Sequence, residues 1–134
     1  MTGLDAPTLF AQRLRQARER AGLTQHELGL RAGMDPSVAS PRVNQYERGA
    51  HVPKPETAEA LADVLGIPAA FLYTRDEQLA QLLLRWPELT AAKKRSLLKL
   101  ALDDSYTIAA SGARKKSEVK PSRARKKPSG KQGD

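Results

Sequence analysis

Cysteine is absent from the 134 residues, which excludes disulfides and thiolate metal sites, and two isolated histidines leave too little to build a zinc centre. No stretch approaches the ~18 consecutive apolar residues that a membrane-crossing helix needs, and the first twenty residues lack the basic start and apolar run of a signal peptide. A soluble, cytoplasmic protein without membrane contact is expected. Neighbouring carboxylates occur only as Asp76-Glu77 and Asp103-Asp104, near a helix start and a helix end, with no histidine, metal ligand or glycine-rich phosphate loop beside them. The pattern gives no catalytic residues, no metal site and no cofactor, so no enzymatic role is expected. Aromatic residues number six and none interleaves the basic C-terminus, which argues against sequence-specific RNA recognition there. Negative charge is also in short supply, for the net charge is +8. The excess is local: Ser111 to Asp134 holds nine Lys or Arg against Glu118 and Asp134, so the tail carries +7 of it.

What is present is organised around Thr24 to Gly49. Thr24 and Glu27 have the spacing of a capping box, so a helix should begin at Gln25, with Leu28 and Ala32 on one face and Gly33 as its left-handed stop. A second helix should close at Tyr46-Glu47-Arg48 before Gly49. Between them stand Pro36 and Pro41. One continuous helix from Pro36 would put Pro41 where its nitrogen should bond the Ser37 carbonyl, at a cost of about 3 kcal/mol. Two pieces avoid the cost: Asp35 caps one turn over Pro36 to Ala39, and Ser40 caps a fresh helix over Pro41 to Arg48.

Around this unit the spacing predicts a first helix over Thr8 to Ala21, with Phe10, Leu14, Ala17 and Ala21 recurring at helical spacing and a basic outer face of Arg13, Arg15 and Arg20. A fourth helix follows over Glu56 to Leu65, ended by Gly66, and a short fifth over Pro68 to Tyr73 offers Phe71 and Leu72 to the core. Asp76 and Thr90 can cap two further helices. In the second of these, Leu97, Leu98, Leu100, Ala101 and Leu102 spread over about 200°, wider than one contact with a small domain needs, which favours self-association over packing within the chain alone. From Ser111 the composition cannot build a core, so disorder is expected. The organisation is all-α: a flexible arm at 1–7, a five-helix domain at 8–74, a helical extension at 75–110 and a disordered Lys/Arg-rich tail at 111–134.

Gly22-Leu23-Thr24-Gln25, Glu27-Leu28, Gly33-Met34, Tyr46-Glu47-Arg48-Gly49 and Leu65-Gly66-Ile67-Pro68 together resemble the helix-turn-helix of the phage-repressor and Cro-like regulators, the XRE family, over roughly Leu9 to Tyr73. Gly33 to Gly49 is about four residues longer than the family pattern, close to one helical turn. The resemblance implies binding to double-stranded DNA, as a transcriptional regulator and most readily a repressor, with the third helix in the major groove. Counted back from Glu47, it puts Ser40 and Gln45 at base-reading positions, with Arg42 between them and Asn44 close behind; the longer turn leaves Ser37 as an alternative reader. Gln25, Arg48 and Lys54 are implied as phosphate-positioning residues, and Arg18 as the ion-pair partner of Glu47. Tyr46 is expected in the core, and His26 and His51 at the surface. A homodimer is the expected assembly, with nucleoid association through DNA. The alternative is an antitoxin-like or partner-bound regulator that works mainly through a protein held by the leucine-rich C-terminal helices.

Overall fold

The computed structural model of the chain describes residues 6–103, which are helical with no strand among them. Helix α1 spans Ala6–Ala21, α2 Gln25–Arg31, α3 Ala39–Glu47, α4 Pro55–Leu65, α5 Glu77–Arg85 and α6 Ala91–Ala101. Two 3-10 segments, Ala69–Tyr73 and Trp86–Glu88, stand before and after α5. The short fifth helix expected over Pro68 to Tyr73 is therefore the first of these, a tighter coil that suits a five-residue connector. Most of the expected arm and all of the expected disordered tail lie outside the described residues.

Local sequence accounts for most of the boundaries. Thr24 Oγ1 accepts from Glu27 N at 3.0 Å, and Glu27 Oε1 accepts from Thr24 N at 2.9 Å. That backbone bond is the main reason the Glu27 carboxyl titrates below its ordinary value. Asp76 caps α5 by accepting from Leu79 N at 3.0 Å, and Thr90 caps α6 by accepting from Lys93 N at 3.1 Å. Pro55 opens α4 at a first-turn position, where no N–H is missed.

The chain packs as two units, one running to Glu88 and one from Leu89 onward. In the first, Phe10, Leu14 and Ala17 of α1 meet Leu28, Val43 and Tyr46 of α2 and α3, and Ala58, Leu61 and Leu65 of α4, with Phe71 and Leu72 closing the core. Helix α5 adds Ala80, with Leu83 and Leu84 packed alongside. In the second unit α6 buries none of its residues; Leu98 and Leu100 are exposed.

Arg13 departs from the expected basic outer face of α1. It is buried, at 6 % exposure. Its Nε donates to the Thr74 carbonyl at 2.8 Å, Nη1 to Gln16 Oε1 at 3.2 Å and Nη2 to the Arg75 carbonyl at 3.4 Å. Nη2 also lies 3.3 Å from Glu77 Oε1, and the guanidinium stands over the Phe71 ring, 5.3 Å from its centroid. The residue thus ties α1 to the chain leading into α5, which a guanidinium can do because its five donors match several carbonyls at once. Arg15 and Arg20 are exposed, paired with Glu19 and Glu88.

Candidate nucleic-acid interface

Helices α2 and α3 touch through a close approach of backbone. A Cβ built on Gly29 would stand 2.7 Å from Ala39 Cβ and 2.9 Å from Ala39 Cα, so only glycine fits where the two helices cross. Gly33 ends α2 at φ +96°, and the Met34 N–H returns to the Gly29 carbonyl at 2.9 Å. That conformation is open to glycine without strain.

The proline-bearing excess then forms a capped turn. Asp35 Oδ1 accepts from Ser37 N at 2.8 Å and from Ser37 Oγ at 2.6 Å, while Val38 N donates to the Asp35 carbonyl at 2.9 Å. The two bonds from Ser37, its hydroxyl first and then its backbone N–H, hold the Asp35 carboxyl below its ordinary pKa. Asp35 thus organises the turn as the sequence suggests, but α3 starts at Ala39, two residues before the expected Pro41, and ends at Glu47 rather than Arg48. Val38 occupies the cap position without a side-chain bond, so Ser40 is not the cap. The reason lies in helix geometry. The first four N–H groups of a helix have no intrahelical partner, so proline is tolerated at the third position as well as the first. Here Arg42 N makes the first α3 bond, to the Val38 carbonyl at 2.9 Å.

Beneath α3 lies a polar network. Arg18 Nε donates to Glu47 Oε2 at 2.5 Å, Nη2 to Glu47 Oε1 at 3.0 Å and Nη1 to the Leu23 carbonyl at 2.8 Å. The Glu47 side chain is only 4 % exposed. Its bond to Arg18 raises the arginine pKa, with burial working in the opposite sense. Such a two-pronged pair fixes geometry as well as charge. Gln25 joins it: Nε2 donates to Glu47 Oε1 at 3.1 Å and to Asn44 Oδ1 at 3.2 Å. The Gln25 nitrogen, expected toward a phosphate, is engaged within the domain.

On the other side of α3, Pro41, Arg42 and Gln45 are exposed, as is Arg48 just beyond, while Ser40 and Asn44, half-buried, flank this face on the α2 side. At about 100° per residue, Gln45 is the midpoint of this face, with Arg42 about 60° to one side and Pro41 about 40° to the other. Arg42 Nη2 also reaches the Tyr46 hydroxyl at 3.4 Å, while the Tyr46 ring is buried in the core. The loop after α3 is tied back by Ala50 N donating to the Gln45 carbonyl at 2.9 Å. Arg48 and Lys54, at its two ends, are exposed, and so are His26 and His51. Arg18, Gln25, Asn44 and Glu47 are thus brought into one network; Ser40, Arg42 and Gln45 are presented separately along α3.

Gly29 and Arg13 are the two structural residues that sequence reasoning missed. Gly29 occupies the helix interior of α2, where glycine costs about 1 kcal/mol relative to alanine; that local anomaly was the available signal of a close approach. A helix-turn-helix domain family matches residues 9–71. The crystal structure of the transcriptional regulator BswR is 41 % identical, with a TM-score of 0.66, over 77 % of this chain and 98 % of that one. No curated protein matches the chain. Two helices crossing at a glycine, the buried pair that ties the second of them to α1, and a likeness spanning nearly the whole of a solved regulator lead to one conclusion: the chain belongs to the XRE-type, phage-repressor-like helix-turn-helix family.

Proposed function

We propose that this protein regulates transcription by binding a specific double-stranded DNA sequence through α3, and that it acts as a repressor. The observation that carries the reading is the outward face of α3, where Arg42 and Gln45 stand exposed on a helix whose inner face is locked by the core and by the Arg18–Glu47 pair. A short rigid helix with exposed polar side chains suits the major groove, because each base pair there shows a distinct pattern of donors and acceptors. Gln45 matches adenine with one donor and one acceptor, Arg42 matches guanine O6 and N7, and Ser40 and Asn44 extend the face toward α2. Arg48 and Lys54 hold the phosphate backbone, and Gln25 serves the complex mainly by bracing Asn44 and Glu47.

The assembly proposed is a homodimer that places two α3 helices in successive major grooves, about 34 Å apart. Exposed Leu98 and Leu100 of α6 could serve that dimer or, in the alternative reading, a protein partner that holds the regulator. Selection of bound duplexes from a random pool tests the reading. Enrichment of a near-palindromic motif is expected; recovery of no motif at low salt overturns it.

A further inference from the structure

Resting on the reading of α3 as a DNA-contacting helix, we infer that Asn44 presents its Nδ2 donor end to DNA, its polarity set by a one-way chain that starts at Arg18. Each link follows from what the groups can do. A guanidinium only donates, and an ionised carboxylate only accepts. Arg18 engages both Glu47 oxygens, so Glu47 faces its remaining neighbour as an acceptor. The Gln25 atom 3.1 Å from Glu47 Oε1 must then be the nitrogen. The same nitrogen lies 3.2 Å from Asn44, so the Asn44 atom that faces it must be the oxygen. An amide whose two ends are alike in shape is thereby oriented by chemistry rather than by fit.

The consequence falls on the other end of Asn44. Its Oδ1 faces Gln25 and accepts from it, and its Nδ2 makes no hydrogen bond to a described residue although the side chain is only half-buried. That nitrogen carries two donors to whatever approaches α3 from the α2 side. The ligand chemistry is a hydrogen-bond acceptor on DNA: a purine N7, a guanine O6 or thymine O4 on a base edge, or a phosphate oxygen. The double donor-and-acceptor reading of adenine falls to Gln45, whose side-chain amide makes no hydrogen bond to a described residue. Gln25 and Glu47 are positioning residues, acting on DNA through Asn44.

The test uses the full chain and the duplex it selects. Asn44→Ala removes the donor, whereas Asn44→Asp keeps an oxygen for Gln25 and replaces the donor with a negative acceptor. The expected order of affinity is wild type, then Asn44→Ala weaker by about tenfold, then Asn44→Asp weaker still. If the acceptor is on a base, Asn44→Ala loses preference at one position of the motif; if it is a phosphate, the motif is unchanged and specific and random duplexes lose affinity by the same factor. Asn44→Asp binding as tightly as Asn44→Ala, or more tightly, overturns the inference. A second measurement needs no variant: on adding the selected duplex, the Asn44 side-chain amide protons should shift and exchange more slowly while those of Gln25 stay as they were. Unmoved Asn44 protons in a wild-type protein that binds its duplex overturn the inference while leaving the proposed function standing. Failure of the wild type to select any duplex overturns both.

Discussion

Gln45 lies at the middle of the outward face of α3, and among the described residues its hydrogen bonds run through its backbone, whose carbonyl accepts from Ala50 and His51. Its side chain is therefore separable from stability. Gln45→Ala is expected to cost about 1 to 3 kcal/mol on the preferred site and to relax preference at one base position, while the melting temperature stays unchanged; an unaltered selected motif would refute the assignment. Arg13 is the opposite case. Arg13→Ala leaves the Thr74 and Arg75 carbonyls short of a donor and should destabilise by about 2 kcal/mol, measurable by urea unfolding, with no change in the motif. Its role was illegible in the sequence because helical periodicity sorts a charged residue to solvent by default, and the acceptors that bury it come from a segment some sixty positions away. Glu27 was legible, being part of a purely local box. Its carboxyl is held below the ordinary value when folded, so its contribution is present above the unfolded pKa and is lost as pH falls through the folded one. Wild type should accordingly melt above Glu27→Gln at neutral pH, and the two should converge as the pH falls below the folded pKa.

At the scale of elements, capping residues mark their helices well because a cap is settled within four residues: Thr24, Asp76 and Thr90 each bond the N–H expected of them. The start of α3 lies two residues before the expected Pro41 for a different reason. Proline excludes itself from a helix interior but is silent about which of the first-turn positions it takes, and the choice of Ala39 as the first residue is made by tertiary packing. Ala39 is fully buried and sits against Gly29. That contact yields a prediction. Gly29→Ala gains helix propensity yet places a methyl group 2.9 Å from backbone that cannot swing aside, so it should lower stability by about 1 to 2 kcal/mol in denaturant unfolding. It should also weaken DNA binding, since the angle between α2 and α3 must open to admit it. A variant as stable as wild type would show that the crossing is softer than its distances imply.

At the scale of the molecule, charge and apolar surface are unevenly shared. The tail from Ser111 holds most of the net charge but almost no apolar residue with which to fix a base-reading geometry, so its expected effect is affinity without preference. Deleting Ser111 to Asp134 should weaken binding to specific and random duplexes by similar factors and flatten the dependence of log affinity on log salt. Superimposable curves for full-length and truncated chains at two salt concentrations would reduce the tail to a solubility aid. The leucines of α6 are expected to support the dimer, and light scattering with and without operator DNA decides it, a monomer in both states being the adverse result. A last consequence comes from the opening turn of α3. Ala39, Ser40 and Pro41 lie ahead of the first intrahelical bond, which Arg42 makes, and of these three only Ala39 is fully buried. Positions 40 and 41 are thus free to change, even to proline, with little penalty in folding, whereas 39, 43, 46 and 47 are not. On the function proposed for α3, the scaffold would acquire a new operator by drifting along one short stretch of chain, and randomising Ser40, Pro41, Arg42 and Gln45 should yield folded variants of altered preference without prior stabilisation.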